Sequence, residues 1–437
     1  MGTDDTARLT ARLGSREARL GVIGLGYVGL PLAVEFARAG FHVTGVDLDP
    51  SKVAEISAGR SYIPDVPAEQ LGPVVSSGKL RVTTDFGVLA DLESVNICVP
   101  TPLRKTKDPD LSHIVSAVEE IAKHLSRGQL VVLESTTYPG TTEEVVRPLL
   151  EAGGLAAGED FFLAFSPERV DPGNSQWQTA NIPKVVGGVN EASTALASLL
   201  YRQIVQEVVP VSSTQVAEMV KLLENTFRAV NIGLVNELAL MCHDLGVEVW
   251  EVIDAARTKP FGFMAFYPGP GLGGHCIPVD PFYLSWKARQ NGFESRFIEL
   301  AGHVNAAMPR FVVQRVADAL NSVSRSVRGS RIHLFGMAYK PDVGDSRESP
   351  AIDIAQLLVR QGAIVSYSDP YAPRLSHGDL NLESVAVDDA LARGMDCALI
   401  TTNHRCFDYT TIVARSPLVV DTRNALKGFP DPHIFRL

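Results

Sequence analysis

A glycine-rich turn between two strand-like segments constrains the fold of this chain most. Residues 19–23 form a short apolar segment, residues 24–29 read Gly-Leu-Gly-Tyr-Val-Gly, and a helical pattern then runs to Gly40. A second strand-like segment, residues 41–46, ends at Asp47. In this order the glycines permit a tight turn, close approach of a pyrophosphate and packing of helix on strand. The pattern predicts a Rossmann-type dinucleotide-binding unit.

The same segment predicts which dinucleotide is bound. Asp47 lies 18 residues beyond Gly29 and can accept hydrogen bonds from both ribose hydroxyls, and no arginine follows it directly. A 2′-phosphate would therefore meet a carboxylate without a guanidinium, so we expect NAD and not NADP. Cofactor contacts are expected from Gly24, Gly26, Tyr27, Val28, Gly29 and Asp47.

Strand-like and helical segments continue to alternate beyond this unit. Three strand-like segments are followed by polar residues: 95–99 by Thr101, 130–134 by Thr136, and 161–165 by Glu168. The carboxyl ends of parallel strands line the crevice in which such sheets bind ligands. Either threonine could equally cap the following helix, and Glu168 is either a catalytic base or a solvated loop charge.

A long helical pattern covers about residues 213–245 without a proline. At 1.5 Å per residue it spans roughly 50 Å, which is enough to join two domains. Lys221 and Asn225 lie one turn apart on one face, and they are either catalytic or solvent-facing. The helix carries more apolar surface than two flanking domains easily cover, so we expect self-association along it.

The alternation restarts near the strand-like segment 331–335. The loop after this segment lacks the glycine fingerprint and carries Lys340 and Arg347, which suit a phosphate or carboxylate. A helix and a strand ending at Asp369 follow. The predicted fold class is therefore α/β, with two Rossmann-like doubly wound domains joined by a long central helix.

A glycine- and proline-rich segment lies between the long helix and this second half. Residues 269–281 contain four glycines in their first six positions and then present Cys276 and Asp280. Glycine at this density serves neither helix nor strand, and it is useful where backbone takes a positive φ or approaches a ligand closely. The segment is either a rigid loop that presents a reactive thiol or a turn around a buried, inert cysteine.

Composition narrows the class of protein. The formal net charge is −10, which argues against bulk binding to nucleic acid or anionic membranes. The five cysteines are scattered without a Cys-x-x-Cys pair, which fits a reducing cytoplasm and gives no metal signature. Residues 1–18 contain no apolar leader, and we expect a disordered tail there.

Five motifs together resemble the UDP-glucose/GDP-mannose dehydrogenase family. They are Gly-Leu-Gly-Tyr-Val-Gly-Leu-Pro at 24–31, Ser-Pro-Glu-Arg at 166–169, Lys221 with Asn225, Gly-Gly-His-Cys-Ile-Pro-Val-Asp-Pro at 273–281, and Tyr-Lys-Pro-Asp at 339–342. The resemblance implies two Rossmann-like domains, a central helix that forms a homodimer or a larger homo-oligomer, and oxidation of a UDP-sugar C6 alcohol to an acid with two NAD per sugar.

The resemblance also implies roles for individual residues. Cys276 is similar to the nucleophile that forms a thiohemiacetal and then a thioester. Lys221 and Asn225 resemble the oxyanion stabilisers, and Asp280 resembles the residue that positions Lys221 and water. Glu168 resembles the base for thioester hydrolysis, and Thr101 a hydroxyl near the nicotinamide and this water. Substrate contacts are implied for Glu168, Arg169, Lys221, Asn225, Arg257, Gly273, Lys340, Arg347 and Arg423, with Arg257 reaching a partner subunit.

The resemblance further implies domain boundaries and a substrate branch. We expect an NAD-binding domain at 19–211, a central helical domain at 212–322 and a UDP-sugar-binding domain at 323–437. Pro172 replaces the second glutamate of UDP-glucose enzymes. This replacement, with the long loop before Gly269, favours UDP-N-acetylglucosamine, then UDP-N-acetylmannosamine, then UDP-glucose.

Two other functional classes remain open from the sequence. One is a two-electron dehydrogenase of the 6-phosphogluconate or hydroxyacyl type, which needs no cysteine and releases one NADH per substrate. The other is a non-catalytic NAD-sensing or scaffold protein, whose site should be degraded.

Overall fold

The computed structural model describes residues 3–63, 65–104, 108–170, 176–177, 179–274 and 276–437. By its internal contacts the chain divides into two compact units. The first comprises Met1–Glu224 and Phe282–Gly292, and the second comprises Asn225–Pro281 and Phe293–Leu437.

The first unit is built on an eight-stranded sheet. Its strands are β1 (Arg19–Ile23), β2 (His42–Val46), β3 (Leu80–Thr83), β4 (Ser94–Ile97), β5 (Leu130–Leu133), β6 (Phe162–Phe165), β7 (Lys184–Gly188) and β8 (Val208–Val211). The spatial order is β3-β2-β1-β4-β5-β6-β7-β8, and neighbours are parallel except β6 and β7, which are antiparallel. The predicted doubly wound α/β architecture is confirmed in this unit.

Helices cover both faces of this sheet. They are α1 (Thr3–Gly14), α2 (Gly29–Arg38), α3 (Pro50–Ser57), α4 (Ala68–Ser76), α5 (Ser112–His124), α6 (Arg147–Glu151) and α7 (Glu191–Tyr201), with a 3₁₀ turn at Phe86–Asp91 and a π-helical turn at Thr142–Val146. Successive strand residues point to opposite faces. In β5, Leu130 and Val132 join one buried cluster and Val131 and Leu133 join another. This double burial explains why the strands are continuously apolar.

The prediction of a disordered tail at residues 1–18 is wrong. Helix α1 occupies most of that segment, and Leu9 and Leu13 are buried in the core of the first unit. Four residues apart, these leucines share one helical face. The Arg12 guanidinium also pairs with the Glu93 carboxylate. The segment is short and polar, but two leucines at helical spacing suffice to anchor it.

The long central helix is α8 (Thr214–Leu245), which begins in the first unit and ends in the second. The further helices are α9 (Val249–Ala256), α10 (Asp280–Gln290), α11 (Arg296–Ser322), α12 (Pro350–Arg360), α13 (Val387–Arg393) and α14 (Tyr409–Arg415). Within the second unit α8 packs closely on α11 at Gly233. A Cβ at this residue would lie 3.1 Å from the Ala301 Cα, so the absence of a side chain permits the close approach.

A second sheet of five parallel strands lies in the second unit, as predicted. Its strand order is β10-β9-β13-β14-β15. The strands of this unit are β9 (Arg331–Phe335), β10 (Ile364–Ser368), β11 (Arg374–His377), β12 (Leu380–Glu383), β13 (Cys397–Ile400), β14 (Val419–Asp421) and β15 (Ile434–Arg436). Strands β11 and β12 form a separate antiparallel hairpin.

Candidate active site

The glycine loop after β1 has three glycines with different surroundings. Gly24 has a φ of +88°, and a Cβ there would lie 2.7 Å from the Cys98 carbonyl oxygen. A Cβ at Gly29 would lie 1.9 Å from the Gly24 carbonyl oxygen. A Cβ at Gly26 would meet no heavy atom within 4 Å. Packing therefore requires the outer two glycines, and the middle one borders open space, where a pyrophosphate is held in this motif.

Asp47 directly follows β2, beside this loop. Its carboxylate accepts hydrogen bonds from the backbone N–H groups of Leu25 at 2.8 Å and Asp49 at 3.0 Å. The Lys52 ammonium lies 3.3 Å from the same carboxylate, a contact that the sequence analysis missed. The carboxylate is thus fixed in place with lone pairs left for a ribose.

A cleft of about 410 Å³ begins at Leu48, directly beyond Asp47. Its lining also includes Thr84, Phe86 and Ser116. The glycine loop and the anchored Asp47 carboxylate match the pattern that holds the pyrophosphate and the ribose of a dinucleotide. Tyr27 and Val28 belong to the same glycine loop, where a cofactor contact was predicted. Tyr27 is exposed, and Val28 directly precedes α2.

Thr101 and Thr136 follow the neighbouring strands β4 and β5 and are half-buried. Neither caps the following helix, because α5 begins at Ser112 and the π-helical turn begins at Thr142. The Tyr283 hydroxyl donates a hydrogen bond to the Thr101 carbonyl oxygen. The capping alternative is therefore wrong, and both threonines remain candidates for the ligand crevice.

Glu168 is a half-buried, ion-paired carboxylate and not a solvated loop charge. Its Oε1 accepts hydrogen bonds from the backbone N–H groups of Arg169 and Val170, each at 2.7 Å. The Lys184 ammonium lies 3.5 Å from Oε2. Burial alone would raise the pKa of Glu168, but the charges of Lys184 and Lys221 and the two N–H donors outweigh burial and lower it.

Arg169 does not extend freely from this loop. Its guanidinium pairs with the Glu224 carboxylate at 2.6 Å and donates to the Pro183 carbonyl oxygen at 2.6 Å. Its predicted role as a substrate contact stays a prediction.

Lys221 and Asn225 are both buried on α8, so the solvent-facing alternative is wrong. The Asn225 amide donates a 2.5 Å hydrogen bond to the Asp280 carboxylate. Asp280 begins α10, and its N–H donates to the Cys276 carbonyl oxygen at 2.8 Å. Residues 269–279 form the cysteine loop, and Asp280 ties this loop to α8 within the second unit.

The cysteine loop is shaped by close approach of its own unit. Gly271 and Gly274 have φ values of +137° and +83°. A Cβ at Gly273 would lie 2.6 Å from the Tyr339 Cβ, so this glycine is required by packing against the loop after β9. Cys276 itself is half-buried, whereas His275 lies outside the described residues.

The other cysteines differ from Cys276 in setting. Cys98 and Cys397 are buried within the cores, as predicted. Burial raises the pKa of the Cys98 thiol well above its usual range, with a further contribution from the charge of Glu134. Burial raises the pKa of Cys397 to about 12. Both thiols are therefore protonated and poor nucleophiles at neutral pH.

Among the predicted anion contacts of the second unit, Arg423 lies close to the cysteine loop. The Arg423 Nε donates to the Thr401 carbonyl oxygen at 2.9 Å. Its Nη1 lies 2.8 Å from the position of a Cβ on Gly269. Burial lowers the pKa of Arg423 to about 10, although the Asp421 carboxylate opposes this shift. The guanidinium remains a cation at neutral pH.

Three further predicted contacts have different surroundings. Arg347 forms a bidentate pair with Asp345, with Nη2 and Nε at 2.6 and 2.9 Å from the two carboxylate oxygens. Lys340 is half-buried on the same loop. Arg257 is exposed at the end of α9, and its Nη1 donates to the Tyr267 hydroxyl at 3.3 Å. Within the described part of the chain, no helix is long and apolar enough to cross a membrane.

Family models match the chain in three successive parts. The NAD binding domain of the UDP-glucose/GDP-mannose dehydrogenase family matches residues 18–205, its central domain matches 215–307, and its UDP binding domain matches 333–428.

Individual proteins resemble the chain over most of its length. A UDP-N-acetyl-D-mannosamine dehydrogenase of Pyrococcus horikoshii is 37% identical over 425 residues, covering 96% of this chain and 98% of the relative. A UDP-N-acetyl-D-glucosamine 6-dehydrogenase of Pseudomonas aeruginosa is 38% identical over 361 residues, covering 82% and 83%. The solved structure of a UDP-glucose dehydrogenase from Pyrobaculum islandicum superimposes with a TM-score of 0.85 at 30% identity, covering 97% of this chain and 98% of that structure.

Proposed function

Because this chain belongs to the UDP-glucose/GDP-mannose dehydrogenase family and is an NAD-dependent nucleotide-sugar dehydrogenase, we propose that it oxidises the C6 hydroxyl of a UDP-2-acetamido sugar to a carboxylate. The observation that carries this proposal is the tie from Cys276 through Asp280 to Asn225. It fixes a thiol-bearing loop beside a buried amide donor. The proposed overall reaction consumes one water and releases two NADH and three protons per sugar.

The residues of the glycine loop, with Asp47, would hold NAD. When bound, each NAD accepts a hydride from C6. The chain's own contribution is to handle the aldehyde formed by the first oxidation. In this proposal the Cys276 sulfur bonds to C6 and gives a thiohemiacetal, and the second oxidation gives a thioester. Water then breaks the C–S bond and releases the acid and the thiol.

Charged and polar side chains are assigned roles in the same proposal. Asn225 and Lys221 stabilise the oxyanions that form at C6, since fixed donors are most effective where charge develops. Asp280 positions Asn225. Glu168 takes a proton from the hydrolytic water, and its lowered pKa keeps it in the carboxylate form that a base requires.

The identity of the sugar is a finer proposal. UDP-N-acetylglucosamine remains the first candidate, on the sequence of residues 166–173 and the loop before Gly269; of the former, 171–173 lie outside the described residues. UDP-N-acetylmannosamine is the second candidate, because the Pyrococcus relative named for it matches 96% of this chain. Its solved structure superimposes with a TM-score of 0.87.

A panel of UDP-sugars tests both levels of the proposal. NADH release is measured with UDP-N-acetylglucosamine, UDP-N-acetylmannosamine, UDP-N-acetylgalactosamine and UDP-glucose at matched concentrations. We expect a higher kcat/KM with a 2-acetamido sugar than with UDP-glucose, and two NADH per sugar consumed. A higher kcat/KM with UDP-glucose overturns the acetamido assignment. One NADH per substrate supports the two-electron alternative instead.

We also propose that the protein forms at least a homodimer along α8. Leu223, Leu234, Met241 and Leu245 are exposed on this helix, and Phe297 and Leu300 are exposed on α11. A face of this kind on a helix commonly marks a contact between copies. Sedimentation should show a species of at least twice 47.1 kDa. A single 47.1 kDa species at micromolar concentration contradicts the proposal, and Leu234→Glu should weaken the assembly.

A further inference from the structure

A largely buried cluster of charged and polar side chains in the first unit includes Glu168. We call it the Lys184 cluster, and it consists of Asn96, Glu134, Glu168, Lys184 and Tyr201. The Lys184 ammonium lies 2.7 Å from the Glu134 carboxylate and 3.5 Å from the Glu168 carboxylate. The side chains of Lys184 and Glu134 are 6% and 0% exposed. Two carboxylates thus share one ammonium, with Lys184 and Glu134 buried and Glu168 half-buried.

The antiparallel direction of β7 explains how a lysine reaches this position. Phe165 of β6 is paired with Gly187 of β7, and in antiparallel pairing each step forward on one strand is a step back on the other. Continuing the register past the end of β6 brings Glu168 opposite Lys184. The Ser166 hydroxyl donates to the Val185 carbonyl oxygen at 2.8 Å, which extends the same alignment. The first residue of β7 is therefore delivered to the carboxyl end of β6.

Glu134 holds the ammonium in place and is itself fully engaged. Its Oε1 accepts hydrogen bonds from the Asn96 amide at 2.9 Å and from the Tyr201 hydroxyl, and its Oε2 accepts from Lys184. The Lys184 Nζ also lies 5.1 Å from the centre of the Tyr201 ring. Burial would lower the pKa of Lys184, but the charges of Glu134 and Glu168 raise it above its usual range. The lysine is a permanent cation at the pH of the assay.

Lys184 therefore acts on Glu168 in a definite direction. Of the groups that lower the pKa of Glu168, the charge of Lys184 has the largest effect. The N–H of Val170 and the charge of Lys221 follow. An opposite charge at this distance lowers the pKa of a carboxyl by about one to three units. Without Lys184, burial would push the Glu168 carboxyl toward its protonated form.

We propose that Lys184, held by Glu134, is a positioning residue that keeps Glu168 ionised and oriented for its reaction with water. This inference rests on the proposed function, in which Glu168 is the base of the hydrolytic step. Lys184 contacts the Glu134 and Glu168 carboxylates, so in this proposal it acts through Glu168. Its loss should affect the protonation of Glu168 more than the binding of substrate.

Other charged or titratable groups face or adjoin Glu168 from the surrounding elements. Lys221 on α8 acts with Lys184, and Arg169 beside Glu168 is paired with Glu224. Glu134 after β5 and the Cys98 thiol after β4 belong to the surroundings of Lys184. Substitution of Lys184 leaves the Lys221 charge in place. The pH profile should therefore shift only by the contribution of Lys184 to the pKa of Glu168.

The test compares Lys184→Met with Lys184→Arg in the full-length protein. The pH profile of kcat for acid production is measured at saturating NAD and UDP-sugar. We expect the acid limb of Lys184→Met to move up by about one to three pH units, with KM for the UDP-sugar changed much less than kcat. Lys184→Arg keeps the cation, so its acid limb should stay at the wild-type position.

A second variant covers the case in which Lys184→Met does not fold, because that change leaves the Glu134 carboxylate buried without its ammonium. Lys184→Met combined with Glu134→Gln removes both partners and keeps the acceptor for Asn96 and Tyr201. We expect the double variant to fold and still to show the displaced acid limb. An acid limb at the wild-type position in the folded methionine variants overturns the inference, as does an equal displacement in Lys184→Arg.

An infrared titration of the Glu168 carboxyl gives a readout that is independent of turnover. The band is identified by its loss in Glu168→Gln, and its protonation midpoint should rise in Lys184→Met and not in Lys184→Arg. Equal midpoints in the two variants overturn the inference. If no UDP-sugar yields NADH, the proposed function fails while this titration still decides the influence of Lys184.

Discussion

Gly26→Ala should separate folding from cofactor binding. A Cβ at residue 26 meets no heavy atom within 4 Å, and the φ of Gly26 lies outside the left-handed region. Alanine at such a position stabilises a protein by about 0.4–1 kcal/mol, because it restricts the unfolded chain. The same Cβ enters the space where the pyrophosphate approaches the backbone in this motif.

The expected loss of affinity follows from the hydrogen bonds at that approach. A hydrogen bond to a charged group contributes about 1.5–3 kcal/mol, so losing one weakens NADH binding about 10- to 150-fold. The measurements are NADH titration by fluorescence and thermal unfolding of the apoprotein. We expect an unchanged or slightly raised Tm together with the weaker Kd.

Two matched glycines serve as controls. A Cβ at residue 72 also points into open space, but this residue lies in α4, away from the glycine loop. The Gly72→Ala variant should therefore bind NADH with the affinity of the wild type. Gly29→Ala places a Cβ 1.9 Å from the Gly24 carbonyl oxygen and should destabilise the fold. An unchanged NADH Kd in Gly26→Ala would refute this account of the cofactor loop.

Three further predictions concern the cofactor, the amino terminus and pH. Asp47→Asn should weaken NAD binding and narrow the preference over NADP, and equal kcat/KM for the two cofactors in the wild type would contradict the role of this carboxylate. Leu13→Ala should lower the free energy of unfolding by about 2–5 kcal/mol, while the exposed Thr10→Ala should change it little; equal effects would count against a packed α1. Burial lowers the pKa of His333 from 6.5 to about 4, so protonation of this histidine favours the unfolded state. The free energy of unfolding should therefore fall by up to about 3 kcal/mol as the pH drops from 6.5 to 4. Denaturant titration should show a smaller fall in His333→Gln.

Much of the fold could be predicted from sequence because local and global signals agree. Strand β1 and β9 lie where the apolar segments placed them, and α8 differs by a residue at its start. When a sheet is buried on both faces, its strands are short apolar segments bounded by turn residues, and such segments are easily located in a sequence. Helix α1 was missed because two leucines in a polar segment give a weak signal until their packing partners are known.

The candidate site could be predicted only where a motif carried it. Asp47, Glu168 and Cys276 were identifiable from their position after strands or within a glycine-rich loop. Lys184 and Lys52 were not identifiable, because each is a single lysine outside any motif. Lys184 pairs with Glu168 and Lys52 pairs with Asp47 only once the chain is folded. Their importance comes from burial and from the antiparallel strand β7, neither of which a single sequence reveals.

The central claim is that Cys276 carries the sugar between two oxidations. It is tested most directly by counting NADH and acid produced per UDP-sugar in the wild type and in Cys276→Ser, with binding of NADH and UDP-sugar measured in parallel. The serine variant keeps the size of the side chain but replaces a good nucleophile by a poor one. We predict two NADH per sugar in the wild type, and near-normal binding with loss of most acid production in the variant. Unchanged turnover in Cys276→Ser, still with two NADH per sugar, would contradict the covalent mechanism.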